Sequence, residues 1–146
     1  MDDLEFVPAT AADVDAIHRI EQASFPSPWR REFYAMEVVA ESRYNIVAKQ
    51  DGIVVGYLFG MWIFDEFHVN KIAVAEGHRR RGIANALMER CFDFAAQHDI
   101  STISLEVRQS NRAAQEFYRF LEFETSYIRK RYYPDGEAAV VMVRAM

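Results

Sequence analysis

Hydrophobic and polar residues follow one another along the chain with two different periods. Apolar residues spaced three and four apart predict amphipathic helices, whereas apolar residues at every second position predict strands. The clearest helical stripe runs from Leu87 to Ala95, and the clearest strand pattern sets Ile103, Leu105 and Val107 against polar neighbours. The chain therefore contains both kinds of element.

Applied to all 146 residues, these periods predict seven strands and four helices. Thr10 and Asp13 have the pattern of a capping box before the first helix, and Asp51-Gly52 has the composition of a hairpin turn. Strands are expected at residues 4–8, 44–49, 53–63, 67–74, 102–107, 123–129 and 138–144, and helices at 14–24, 30–40, 84–98 and 112–120. This order predicts an α/β (α+β) fold with a mixed sheet covered by helices on both faces.

Composition narrows the class of protein. A length of 146 residues with 51% hydrophobic residues fits one compact domain, residues 1–146. The net charge of −5 argues against non-specific nucleic-acid binding. The single cysteine, Cys91, lies in an apolar stripe and is predicted to be a buried packing residue. No long apolar segment follows the acidic N-terminus, so we expect no membrane span and a soluble cytoplasmic protein.

A basic turn between a strand and a helix is the strongest indication of function. Arg79, Arg80 and Arg81 repel one another unless an anion lies between them, and Gly82 lets the backbone approach that anion closely. The free N–H groups of the following helix would point at the same ligand. A solvated surface turn is the alternative interpretation. The agreement of strand, glycine and helix phase favours an anion site.

Two common phosphate-binding motifs are missing from the sequence, the Gly-x-x-x-x-Gly-Lys-Ser/Thr loop and the Gly-x-Gly-x-x-Gly fingerprint. What remains, Arg79-x-x-Gly82-x-Ala84, resembles the acyl-CoA-binding signature of the GCN5-related N-acetyltransferase (GNAT) superfamily. Phe25-Pro26 with Trp29 and the runs at 105–111, 113–118 and 131–136 resemble the RimI-like ribosomal-protein alanine N-acetyltransferases. The resemblance implies a GNAT fold, with a mostly antiparallel sheet of about seven strands.

The resemblance also implies that acetyl-CoA is the donor. Strand backbone would hold the pantetheine arm, and the basic turn would hold the pyrophosphate. Asn111 would contact the cofactor, although it fits a plain helix cap equally well. The cofactor-binding residues expected from the resemblance are Ile72, Ala73, Val74, Arg79, Arg80, Arg81, Gly82, Ile83, Ala84, Asn111 and Tyr118.

Two residues are candidates for acid and base catalysis. Glu106 alternates with the apolar residues of its strand and lies near the strand's C-terminal end, a pattern that fits a surface glutamate as well as a catalytic one. Tyr118 falls at helical spacing, as a core tyrosine would. The resemblance implies that Glu106 is the general base and that Tyr118 donates a proton to the departing thiolate.

The acceptor is expected to be a protein N-terminus, as in RimI-like enzymes, and in particular that of a ribosomal protein. Pro26 disfavours a helical conformation in the residue before it, so its segment is predicted to be a loop. The aromatic residues Trp29, Tyr132 and Tyr133 are expected to bind the substrate. Alternatives are acetylation of a lysine or small amine, or a non-catalytic acyl-CoA-binding module. The four histidines, among them His68, lack partners at ligand spacing, so no metal site is expected. His68 is interpreted as a satisfied sheet residue or as part of an amine channel.

Overall fold

The computed structural model describes residues 4–146, which form a seven-stranded sheet with helices on both faces. The strands are β1 (Leu4–Pro8), β2 (Arg43–Gln50), β3 (Ile53–Ile63), β4 (Glu66–Val74), β5 (Thr102–Arg108), β6 (Glu124–Arg129) and β7 (Ala139–Ala145). The helices are α1 (Val14–Ser24), α2 (Arg31–Glu37), α3 (Ile83–Gln97) and α4 (Arg112–Phe120). Within residues 4–146, none of these helices is long and apolar enough to cross a membrane. The predicted seven strands and four helices are confirmed.

Element boundaries differ from the predicted ones by a few residues. α2 ends at Glu37, three residues before the predicted end. The side-chain amide of Asn45 donates a 2.9 Å hydrogen bond to the backbone carbonyl of Glu37, which satisfies a carbonyl left free at the end of the helix. α3 begins at Ile83, one residue earlier than predicted, because Gly82 adopts a left-handed conformation with φ of 79° and separates the turn from the helix.

The sheet has the order β1-β2-β3-β4-β5-β7-β6, and every pair of neighbours is antiparallel except β4 and β5. The parallel pairing of β4 with β5 ends at His68 opposite Ser104. Directly afterwards Asn70 forms a bulge, since Val69 pairs with Gly60 and Lys71 pairs with Phe59. The two central strands therefore separate, and a groove opens between them.

Two hydrophobic clusters hold the helices against the sheet. On one face, α3 packs against β2, β3 and β4 and buries Leu87 and Cys91 completely, which confirms Cys91 as a packing residue. On the other face, Ile17 of α1 and Tyr34 of α2 pack on Tyr57 of β3, and all three side chains are fully buried. Burial of this kind contributes about 1.5–3 kcal/mol for each large apolar side chain. This burial fixes the central strands between which the groove lies.

Candidate active site

The groove between β4 and β5 has a volume of about 770 Å³. Its walls come from the separated parts of the two strands, the loop at residues 25–29, the loop at residues 132–134 and the start of α4. The residues predicted from the sequence that line it are Trp29, Ile72, Glu106, Asn111, Tyr118, Tyr132 and Tyr133. The fold thus brings together side chains from the first quarter, the middle and the end of the chain.

Glu106 of β5 forms a close pair with His68 of β4. The Nε2 atom of His68 lies 2.8 Å from Oε1 of Glu106 and 2.9 Å from Oε2. On the other side of the ring, Nδ1 lies 2.5 Å from Oδ1 of Asn70. The Tyr132 hydroxyl donates a longer hydrogen bond of 3.5 Å to Oε1 of Glu106. The Glu106 side chain is 14% exposed, so it faces the groove without being fully solvated.

The environment of His68 shifts its pKa in two opposing directions. Burial lowers the pKa of the imidazole, but the hydrogen bond and charge of Glu106 outweigh burial and raise the pKa above the usual 6.5. The sequence left His68 open between a satisfied sheet residue and part of an amine channel, and did not predict its pairing with Glu106. The available signal was its spacing of two from Asn70, which places both side chains on the same face of β4.

Tyr118 of α4 is buried at the floor of the groove. Its ring packs edge-on against Phe117 and Phe123, with ring centres 5.1 and 5.6 Å away. Burial raises the pKa of the phenol above its ordinary value, so the hydroxyl stays protonated at neutral pH. The core position expected from its spacing is confirmed, and the same side chain also reaches the groove.

The loop at residues 132–134 is fixed to β5 by Arg108. The guanidinium donates hydrogen bonds of 2.8 Å to Asp135 and 2.9 Å to Glu137 and lies 4.2 Å from the centre of the Tyr133 ring. Hydrogen bonds to Ser110 and Arg108 lower the pKa of Glu137. The loop is therefore held in one position beside Glu106.

Asn111 acts as the cap of α4, since its side-chain oxygen accepts a 3.1 Å hydrogen bond from the backbone N–H of Ala114. The residue also lines the groove. Both interpretations of Asn111 from the sequence are therefore compatible with its position.

A second cavity, of about 250 Å³, lies at the N-terminus of α3. Arg80, Gly82 and Ala84 line it, together with His78, whose Nδ1 is buried without a hydrogen-bond partner among the residues described. The first N–H groups of the helix are free of intrahelical bonds and point into this space. N–H groups, a guanidinium and an unpartnered imidazole nitrogen form a set that can hold a phosphate group.

The arginines of the turn do not all face this cavity. Arg79 lines the cavity, but its guanidinium also donates a 3.0 Å hydrogen bond to the Val74 carbonyl and one of 3.2 Å to the Ser24 hydroxyl, so it braces the turn against β4 and α1. Arg81 is exposed and lines neither cavity. Ile83 is buried in the core and offers only its backbone.

The exposed edge of β4 connects the two cavities. Pairing with β5 ends at His68, so the backbone of residues 72–74 has no ladder partner on that side. An extended ligand with amide groups can pair with such an edge. Ile72 lies in the groove and Val74 lines the second cavity, so one extended molecule can occupy both.

Comparisons with known proteins agree with this geometry. Residues 14–123 match the Acetyltransferase (GNAT) family. The ribosomal protein bS18-alanine N-acetyltransferase of Escherichia coli K12 is 34% identical over 133 residues, which cover 89% of this chain and 89% of that enzyme. The N-alpha-acetyltransferase of Saccharolobus solfataricus is 33% identical over 147 residues, covering 92% of this chain and 88% of the relative.

The same family appears among solved structures. The crystal structure of the ribosomal-protein-S18-alanine N-acetyltransferase from Escherichia coli superposes with a TM-score of 0.90 at 31% identity, over 97% of this chain and 93% of that one. The predicted GNAT fold and the resemblance to RimI-like enzymes are confirmed. The chain belongs to the acetyltransferase (GNAT) family and is an N-acetyltransferase of the RimI and N-alpha-acetyltransferase type.

Proposed function

We propose that this protein transfers the acetyl group of acetyl-CoA to the N-terminal amine of a protein by direct attack in a ternary complex. The observation that supports this most strongly is the continuity of the two cavities along the free edge of β4. The pyrophosphate would lie at the N-terminus of α3, the pantetheine arm along residues 72–74, and the thioester between Glu106 and Tyr118.

The acceptor amine must lose a proton to become a nucleophile. An α-amino group has a pKa of about 8 and is mostly protonated at neutral pH. Glu106 faces the groove and accepts this proton, directly or through a water molecule, while His68 holds the carboxylate in place from behind. The amine nitrogen then forms the new bond to the acetyl carbon.

Breakage of the carbon–sulfur bond leaves a thiolate that needs a proton. Tyr118 lines the groove and is protonated, because burial raises its pKa. It donates a hydrogen bond to the sulfur as negative charge develops there, and then the proton. The products are an N-acetylated chain end and free CoA.

The proposed acceptor is the N-terminal alanine of a small-subunit ribosomal protein in the cytoplasm. The name of the Escherichia coli relative supports this substrate, since that enzyme acts on ribosomal protein bS18. The lining of the groove supports an extended chain end, because the loops carrying Trp29 and Tyr132 both line the groove that Glu106 faces. Rigid aromatic walls suit a peptide better than a small, freely rotating amine.

Thiol release from acetyl-CoA tests the proposal. The acceptors are a peptide with a ribosomal-protein N-terminus, the same peptide with a blocked N-terminus, free lysine and a polyamine. We expect turnover only with the free N-terminus. Turnover of lysine or polyamine would instead show a different acceptor class, and tight CoA binding with no acceptor used would show a non-catalytic acyl-CoA-binding module.

A further inference from the structure

A buried carboxylate lies beneath the loop at residues 25–29, outside the catalytic groups described above. Glu21 of α1 is fully buried. Its Oε1 accepts hydrogen bonds of 2.6 Å from the hydroxyls of both Tyr34 and Tyr57. Its Oε2 accepts a 2.9 Å hydrogen bond from the backbone N–H of Trp29 and lies 3.1 Å from Nζ of Lys71. Four donors therefore converge on one carboxylate.

Lys71 connects this carboxylate to the groove. The lysine side chain is 15% exposed and lines the groove from β4. Its Nζ lies 3.5 Å from the centre of the Phe25 ring and 4.9 Å from that of Trp29, distances at which a cation is attracted to an aromatic ring. Burial lowers the pKa of Lys71, and the charge of Glu21 opposes this shift. The ammonium thus holds two rings of one loop.

The position of Lys71 follows from the bulge at Asn70. The bulge shifts the alternation of β4 by one residue, so Lys71 reaches Glu21 of α1 while Ile72 packs toward the opposite core. Lys71 directly precedes the free backbone edge at residues 72–74. One ion pair therefore ties the edge proposed to hold the cofactor to the loop proposed to hold the acceptor.

Stability alone does not account for such a pair. Replacing a buried ion pair with apolar side chains is often neutral or stabilising. The reason is that the free-energy cost of removing two charges from water can equal or exceed the gain from their attraction. This pair instead fixes geometry, since Glu21 bonds the loop backbone at Trp29 and Lys71 contacts its rings.

We propose that Glu21 and Lys71 are positioning residues for acceptor binding. The pair holds the loop at residues 25–29 at the distance from β4 that the acceptor chain requires, a role that rests on the proposed function. Loss of the pair leaves the loop to be ordered by the acceptor itself, which weakens acceptor binding. The backbone edge at residues 72–74 stays paired with β3 on its other side, so donor binding and the chemical groups are not affected.

The test compares Lys71→Met with Lys49→Met. Lys49 is a matched control, because its Nζ also lies 3.1 Å from a buried carboxylate, that of Asp13, but it does not line the groove. For Lys71→Met we expect the acceptor KM to rise about tenfold, with kcat changed less than about threefold. The Kd for CoA, measured by calorimetry, should equal that of the wild type. Lys49→Met should leave the acceptor KM unchanged.

Hydrogen exchange at the Trp29 amide gives a readout independent of turnover. The amide donates to Glu21, so Lys71→Met should speed its exchange and Lys49→Met should not. An unchanged acceptor KM in Lys71→Met, or an equal rise in both variants, would overturn the inference while leaving the proposed function intact. If the wild type acetylates lysine instead, the proposed acceptor is wrong and the same KM comparison, made with lysine, decides the role of the pair. A wild-type protein that uses no acceptor would overturn both.

Discussion

His68 presents one ring nitrogen to both carboxylate oxygens of Glu106, at 2.8 and 2.9 Å. An ionised carboxylate accepts hydrogen bonds and cannot donate them, so the Nε2 atom that contacts both oxygens must carry the hydrogen. The other nitrogen faces the side-chain oxygen of Asn70. This arrangement suits the imidazolium form of His68 and agrees with its raised pKa.

Replacing Glu106 should change the titration of His68. Because the charge and hydrogen bond of Glu106 raise the pKa of His68 against the effect of burial, Glu106→Gln should lower that pKa below 6.5. Imidazole resonances of the wild type and of Glu106→Gln, followed by NMR between pH 5 and 9, measure the change. An identical His68 titration in both proteins would show that the pair does not form in solution.

The same pair makes stability depend on pH. The pKa of His68 is higher in the folded protein than in the unfolded chain, so its contribution is complete below the unfolded pKa and is lost as pH rises through the folded value. We therefore expect Glu106→Gln to lower the Tm more at pH 6 than at pH 9. Thermal unfolding at the two pH values measures this, and an equal loss at both would exclude the linkage.

Glu106→Gln should also slow acetyl transfer. Glutamine keeps the size of the side chain but cannot accept the proton of the amine, so kcat should fall about a hundredfold or more at neutral pH. The affinity for CoA should not change. Steady-state rates from pH 6 to 9 provide the measurement, and wild-type rates across that range would eliminate Glu106 as the base.

Tyr118→Phe should separate the proposed role of Tyr118 as an acid from its role in core packing. The hydroxyl donates no hydrogen bond to any residue within 4–146, so removing it should leave the Tm close to that of the wild type. The kcat should fall by about a hundredfold. Rates measured with thioester donors whose thiols are more acidic should recover part of the loss. Full activity in Tyr118→Phe would rule out the assigned role.

Gly82→Ala tests the cavity at the N-terminus of α3. Gly82 has φ of +79° with no atom within 4 Å of an added Cβ, and Gly52 in the hairpin between β2 and β3 has the same φ and equally open space. Each substitution should cost about 1–2 kcal/mol from the left-handed backbone. We expect only Gly82→Ala to weaken CoA binding, by about tenfold, as measured by calorimetry. Equal CoA affinities in the two variants would place the pyrophosphate elsewhere.

Periodicity predicted most of the fold, because each helix or strand buries one face and that face appears in the sequence as a regular spacing of apolar residues, as in α3. It did not predict which residues of neighbouring strands lie opposite one another. The contact between His68 and Glu106 spans 38 positions and depends on the strand register and on the bulge at Asn70. An alternating pattern of apolar and polar residues predicts neither the strand register nor the position of a bulge.

Glu21 could have been found from the sequence. It lies in the same helical stripe as Ile17 and Ile20, and all three are buried. A carboxylate in an apolar stripe predicts a buried polar group that needs partners. The identity of those partners depended on the loop and on β4, which no local pattern describes. Likewise, the contacts of Arg79 with Val74 and Ser24 follow from the folded turn alone.

The site of acetylation on a bifunctional peptide tests the central claim most directly. The peptide carries a free N-terminal alanine and one internal lysine, and tandem mass spectrometry locates the acetyl group after incubation with acetyl-CoA. We predict acetylation of the α-amine by the wild type and about a hundredfold less product with Glu106→Gln. Acetylation of the lysine side chain, or of neither amine, would contradict the account.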